Sequence, residues 1–179
     1  MLPMTSKITI VTGTARQDNH SQQVAQALYA AGIEYAVDTT LTSVGEHIEK
    51  AETIPPWGSG GADTVPTTWK QLVQATDTFV FVLPEYNHSY PGEWKILMDS
   101  LYGEYAGKKV YIAAVGGGQF AGARVMEHVL PVLVNFKFVI GNERLHVTAS
   151  AENFAADGSV TDEALANRIA KFMEAVAAA

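Results

Sequence analysis

The 179-residue chain contains no cysteine. Disulfides, thiolate nucleophiles, zinc–thiolate centres and cysteine-ligated iron–sulfur clusters are excluded together. Long apolar runs are missing too. None approaches the roughly 18 residues of a membrane-spanning helix, so no membrane insertion is expected. Positive charge is scarce: 12 Lys and Arg against 19 Asp and Glu leave a formal charge of −7. No basic cluster offsets that balance, which argues against a nucleic-acid partner. The histidines lack metal-ligand spacing, and no metal site is assigned. Neither a Gly-x-Ser-x-Gly elbow nor a His-Glu-x-x-His string occurs, so hydrolase chemistry has no support. The amino end, Met1-Leu2-Pro3-Met4-Thr5-Ser6-Lys7, lacks a basic head followed by a long apolar core. No signal peptide is expected, and a cytoplasmic location is.

What is present alternates between two periods. The length suits one domain over residues 1–179. Lys7–Thr12 reads as a first strand ending at Gly13. From Ser21 the spacing turns helical, with Val24, Ala25, Leu28 and Tyr29 on one face and Gly32 as a C-terminal cap. Ile33–Asp38 is expected as a second strand. Ser43 and Glu46 suggest a capping box for a short helix that includes His47 and Ile48. A breaker-rich loop, Pro55–Gly61, precedes a helix from Thr67 to Ala75. Thr78–Leu83 is apolar throughout, as in a strand buried on both faces. A helix over Glu93–Tyr102 places Trp94, Leu97, Met98 and Leu101 on one side. Lys109–Val115 is a fourth strand and Ala121–Val134 a helix. Phe138–Ile140 and Leu145–Val147 suggest a fifth strand interrupted near Gly141-Asn142. Thr161 is the expected cap of a last helix with Leu165, Ile169, Phe172 and Val176 inward. This alternation predicts an α/β fold: a five-stranded parallel sheet with helices on both faces. The flavodoxin-like order 2-1-3-4-5 is the leading topology.

Three segments follow strands 1, 3 and 4, whose trailing loops converge in that order. Gly13-Thr14-Ala15-Arg16-Gln17-Asp18-Asn19-His20-Ser21 combines a tight turn, hydroxyls, an amide and a guanidinium at a helix start, a set suited to phosphate. An ordinary strand-to-helix turn uses the same residues. Pro84-Glu85-Tyr86-Asn87-His88-Ser89-Tyr90-Pro91-Gly92 is a stiff, aromatic loop at the sheet edge where ligands bind. A passive turn with Tyr86 and Tyr90 capping the core is its rival. Gly116-Gly117-Gly118-Gln119 lets backbone approach a ligand closely, although tight helix–strand packing explains glycines equally well. One loop for phosphate, one for a flat ring and one for close backbone approach together describe a mononucleotide with a planar head. FMN fits.

At these residues the chain resembles the flavodoxin-like NAD(P)H-dependent FMN reductases, which include quinone, azo-dye and chromate reductases. Pro84-Glu85-Tyr86-Asn87-His88-Ser89 with Pro91-Gly92 and Lys95 is similar to the family's flavin-ring loop and following helix start. Gly13-Thr14-x-Arg16 with Asn19-His20-Ser21 resembles its phosphate loop, and Gly116-Gly117-Gly118-Gln119 the glycine loop beside the ring. Ile96 stands where the family commonly has asparagine, and Ala15 replaces a bulkier residue. Tyr90 is larger than the usual aliphatic residue, and with Phe120 it narrows the substrate side of the ring.

The resemblance implies hydride transfer from NADPH or NADH to FMN, then release to a small-molecule electron acceptor such as a quinone, an azo compound or free flavin. FMN carries that chemistry, so no catalytic acid or base is assigned. Thr14, Arg16, Asn19, His20 and Ser21 are expected at the phosphate. Backbone of Pro84, Glu85, Tyr86 and Asn87, and of Gly116, Gly117, Gly118 and Gln119, is expected at the ring. Tyr86 or His88 lines the nicotinamide side. The resemblance also implies a homodimer or homotetramer, with Trp94, Tyr102 and Tyr105 as a candidate interface. Two other readings stand beside it: a non-enzymatic FMN carrier of the flavodoxin type, and a flavin-free relative that binds a protein.

Overall fold

A computed structural model of the chain describes residues 6–35, 38–48 and 66–179. Its centre is strand β3, Thr78–Pro84, buried from Thr78 through Leu83. Side chains alternate across a strand. Phe79, Phe81 and Leu83 therefore enter one core, while Val80 and Val82 enter another on the opposite face. Such two-sided burial is what an unbroken apolar run requires.

Strand β1 (Lys7–Thr12) pairs with β3 on one side and with β2 (Asp38–Ser43) on the other. Strands β4 (Lys109–Gly116) and β5 (Val139–Thr148) complete a parallel sheet of order β2-β1-β3-β4-β5. The expected topology and fold class hold. Helices α1 (His20–Glu34) and α5 (Glu163–Ala177) cover the face holding Ile8, Ile10, Val80 and Val82. Helices α2 (Thr67–Ala75), α3 (Gly92–Asp99) and α4 (Ala123–Asn135) cover the face holding Phe79, Phe81 and Ile112. There Phe81 meets the Trp94 ring edge-on at 5.5 Å.

Several sequence expectations need correction. The second strand is Asp38–Ser43, not Ile33–Asp38, because α1 continues through Ile33 and Glu34. Gly32 is not a cap but a buried helical residue. A Cβ there would lie 3.0 Å from Thr39 Oγ1 and 3.3 Å from Met173 Cε, so glycine lets α1 lie close to β2 and α5. Ser43 and Glu46 do form a capping box, with Glu46 accepting the Ser43 N–H at 2.9 Å. It opens a 3-10 turn, Val44–Glu46, after which Ile48 is again 3-10 and the residues beyond it lie outside the described residues. Helix α3 stops at Asp99, short of Tyr102. The cap of α5 is Asp162, whose carboxylate accepts the N–H groups of Ala164 and Leu165, whereas Thr161 bonds the Glu152 carbonyl. Strand β5 is not interrupted near Gly141-Asn142 but runs unbroken with a bulge: Val110 faces Ile140, whereas Ile112 faces Arg144. Gly141 lies against the Tyr111 ring there, leaving no room for a Cβ. The Pro55–Gly61 loop lies outside the described residues.

Candidate active site

Strands β1, β3 and β4 are neighbours, so the loops that leave their carboxyl ends share one edge of the sheet. The loop after β1 turns at Gly13, whose N–H donates to the Val82 carbonyl at 2.8 Å. A Cβ at Gly13 would fall 2.4 Å from Leu83 Cδ2 and 3.1 Å from the Val82 carbonyl oxygen, so a side chain there would force the buried Leu83 aside. Thr14 behind it is buried. Its hydroxyl donates to Glu93 Oε1 at 2.9 Å and lies 2.8 Å from the Tyr86 hydroxyl. A hydroxyl has one hydrogen and two lone pairs. With that hydrogen on Glu93, the Tyr86 O–H must donate to Thr14, and the Arg16 N–H fills the second lone pair at 3.2 Å.

Asn19 shapes the rest of this loop. Its amide oxygen caps α1 by accepting the Gln22 N–H at 2.8 Å, and its amide nitrogen donates to the Arg16 carbonyl at 2.5 Å. His20 opens the helix with Nδ1 3.0 Å from Gln23 Oε1, and Ser21 is buried behind it. The backbone N–H groups of His20 and Ser21 have no protein acceptor among the described residues. Arg16 is exposed, 6.0 Å from the Tyr86 ring centroid, and forms no ion pair among the described residues. An uncommitted guanidinium beside a helix amino terminus with free N–H groups is suited to an anion.

The loop after β3 is a tight hairpin. Tyr86 and Ser89 exchange two backbone hydrogen bonds of 2.9 Å around Asn87 and His88, at φ 47° and 68°. That is a two-residue type I′ turn. The Glu85 N–H donates to the Val115 carbonyl at 2.8 Å. Of the expected ring-edge donors in this loop, Glu85 and Tyr86 are thus already engaged, and the Asn87 N–H has no acceptor among the described residues. The Glu85 carboxylate accepts the Arg124 backbone N–H at 3.1 Å and pairs with its guanidinium at 3.2 Å. Ser89 Oγ lies 3.2 Å from His128 Nδ1. Both contacts pin the hairpin to α4.

The glycines after β4 divide by role. Gly116 is buried with its backbone against Gly122, and a Cβ would lie 2.4 Å from the Gly122 nitrogen. Gly117 and Gly118 are open: a Cβ on either meets nothing within 4 Å. Gly118 has φ 78°, where glycine is favoured. The N–H groups of Gly117, Gly118 and Gln119 have no protein acceptor among the described residues. Phe120 is exposed beneath the Arg124 guanidinium, 5.0 Å from ring centroid to Cζ. Tyr90 packs down on Trp94, ring centroids 5.3 Å apart.

Donors without a protein acceptor among the described residues, open space over two glycines and an anion-suited loop are chemically compatible with FMN. Residues 6–152 match the sequence model of the NADPH-dependent FMN reductase family. The chain belongs to that family. It is 28% identical over 158 residues to the NAD(P)H-dependent FMN reductase LOT6 of Saccharomyces cerevisiae, covering 86% of this chain and 74% of that one. It is 25% identical over 185 residues to a 2-hydroxy-1,4-benzoquinone reductase of a Burkholderia species, covering 98% and 96%. Its fold is similar to that of FerB, a flavoenzyme NAD(P)H:(acceptor) oxidoreductase of Paracoccus denitrificans. The TM-score is 0.80 at 23% identity, over 97% of this chain and 96% of that one.

Two residues that fasten these loops were not among those singled out from the sequence. Arg124 is 39 residues from Glu85, and nothing local announces the pair. Glu93 resembles any acidic residue in a helix's first turn, where the helix dipole favours it. Conversely, Trp94 and Tyr105 are fully buried core residues and no interface, leaving Tyr102 alone exposed.

Proposed function

We propose that the chain is an NAD(P)H-dependent FMN oxidoreductase, a single flavodoxin-like domain that passes electrons to a quinone, an azo compound, free flavin or a similar small acceptor. The observation that carries this reading is the bonding of three loops into one frame. Thr14 to Tyr86 joins the phosphate loop to the hairpin, and Glu85 to Arg124 joins the hairpin to the start of α4. FMN, when bound, supplies hydride acceptance and electron release. Arg16 and the free N–H groups of His20 and Ser21 balance the phosphate's charge, while Asn19 holds that loop in shape. The Asn87, Gly117, Gly118 and Gln119 N–H groups orient the ring edge, and the bare Cα atoms of Gly117 and Gly118 allow close approach. Glu85 is tied to Arg124, so no side-chain acid or base is assigned.

Names of the relatives support a quinone-type acceptor. Among the described residues no helix is long and apolar enough to cross a membrane. A cytoplasmic homodimer or homotetramer completes the proposal. The test is anaerobic mixing of FMN-loaded protein with NADPH or NADH, followed by a quinone. Loss of the visible flavin absorbance and its return on adding quinone are expected. Flavin that stays oxidised with both nucleotides would sink the enzyme reading and leave an electron carrier.

A further inference from the structure

Glu93 places a negative charge inside the loop that the proposed function gives to phosphate. Its Oε1 accepts the Thr14 O–H at 2.9 Å and the Ala15 N–H at 3.4 Å. The side chain is half-buried and has no cationic partner among the described residues. Arg16, the nearest candidate along the loop, turns toward Tyr86 instead.

A carboxylate and a phosphate ask for the same things: donors, and freedom from other anions. Thr14 cannot serve both. With Tyr86 and the Arg16 N–H donating to its lone pairs, its one hydrogen on Glu93 is not available to a ligand. We infer that Glu93 is an internal competitor for the FMN phosphate: it holds the Thr14 O–H and the Ala15 N–H beside the free Arg16, His20 and Ser21 donors, and must give up Thr14 if the phosphate is to use it. This rests on the proposed function, which puts phosphate in this loop. Two like charges a few ångströms apart repel by an amount that a half-buried setting does not fully screen. The phosphate group then adds little net affinity, and FMN exchanges readily instead of staying as a fixed prosthetic group. Glu93 thereby sets flavin selectivity, because riboflavin has the same ring and no phosphate to compete.

The test is equilibrium quenching of flavin fluorescence by flavin-free protein, with FMN and riboflavin as separate probes. In the wild-type chain the FMN preference over riboflavin is expected below about tenfold, and Glu93→Gln is expected to bind FMN about tenfold tighter. Riboflavin affinity should stay within about twofold, and stopped-flow release of FMN should slow in the same variant. Glu93→Ala, which removes the acceptor entirely, should also tighten FMN. A wild-type preference of tenfold or more overturns the inference without needing any variant. So does unchanged or weaker FMN binding in both variants, or equal tightening of riboflavin. If no form binds FMN, the proposed function itself fails, which is distinct from tight binding that ignores Glu93.

Discussion

The Tyr86 phenol stands 2.8 Å from the Thr14 hydroxyl, joining the loops behind β1 and β3 across 72 residues of sequence. Tyr86→Phe keeps the ring and removes this single bond. A stability loss of about 1 kcal/mol by denaturant unfolding is expected. Retained stability would mean that the two loops are held together by something else.

Gly116 and Gly117 are adjacent and should respond in opposite ways. Gly116→Ala drives a Cβ into the Gly122 backbone, and an overpacking cost of about 1–3 kcal/mol or more is expected. Gly117→Ala meets nothing within 4 Å, so stability should be unchanged or slightly improved. If the ring lies over Gly117 as proposed, flavin affinity should nonetheless fall, because the added methyl would stand in its way. Denaturant melts beside flavin titrations separate the two effects.

His88 occupies the second central position of the hairpin at φ 68°, a conformation that side chains disfavour. His88→Gly should relieve that strain, less the entropy glycine loses on folding. A net gain of about 0.5–1 kcal/mol is expected from thermal unfolding. A loss would show that the imidazole makes a stabilising contact in solution.

His47 supplies a pH dependence. It is buried between Thr42 Oγ1 at 3.1 Å and Thr68 Oγ1 at 3.0 Å, against the Trp69 ring. Burial pushes its pKa below the ordinary value of 6.5, with Glu46 opposing. The unfolded chain therefore takes up the proton first as pH falls. The stability involved is fully present above 6.5 and is lost as pH drops through the lower folded value. Unfolding midpoints measured down this window should fall more steeply for the wild-type chain than for His47→Gln. Parallel slopes would count against the assignment.

Sheet order was legible because β3 and β4 are buried strands whose apolar runs leave little alternative. The second strand was not. Asp38-Thr39-Thr40-Leu41-Thr42-Ser43 is an edge strand in which only Thr42 is buried, so it carries little apolar signal. Ile33 and Tyr35 offered that signal instead, yet they are 59% and 39% exposed. Asp162 and Thr161 are both good caps, and only hydrogen-bond geometry separates them. The loops themselves stood out by glycine, proline and aromatic content. Their fastenings did not, since Thr14–Glu93 and Glu85–Arg124 link residues 79 and 39 positions apart.

Strand β3 is walled by a core on each face and a paired strand on each edge. Its amide protons can therefore reach solvent only through near-global opening. Among the described residues, hydrogen exchange at Val80 and Phe81 should be the slowest, while the Asn87 and Gly117–Gln119 amides, without acceptors there, exchange almost at once. The groove's most labile protons thus sit a few residues from its most protected ones. A bound flavin would announce itself as protection gained at the loop tips alone.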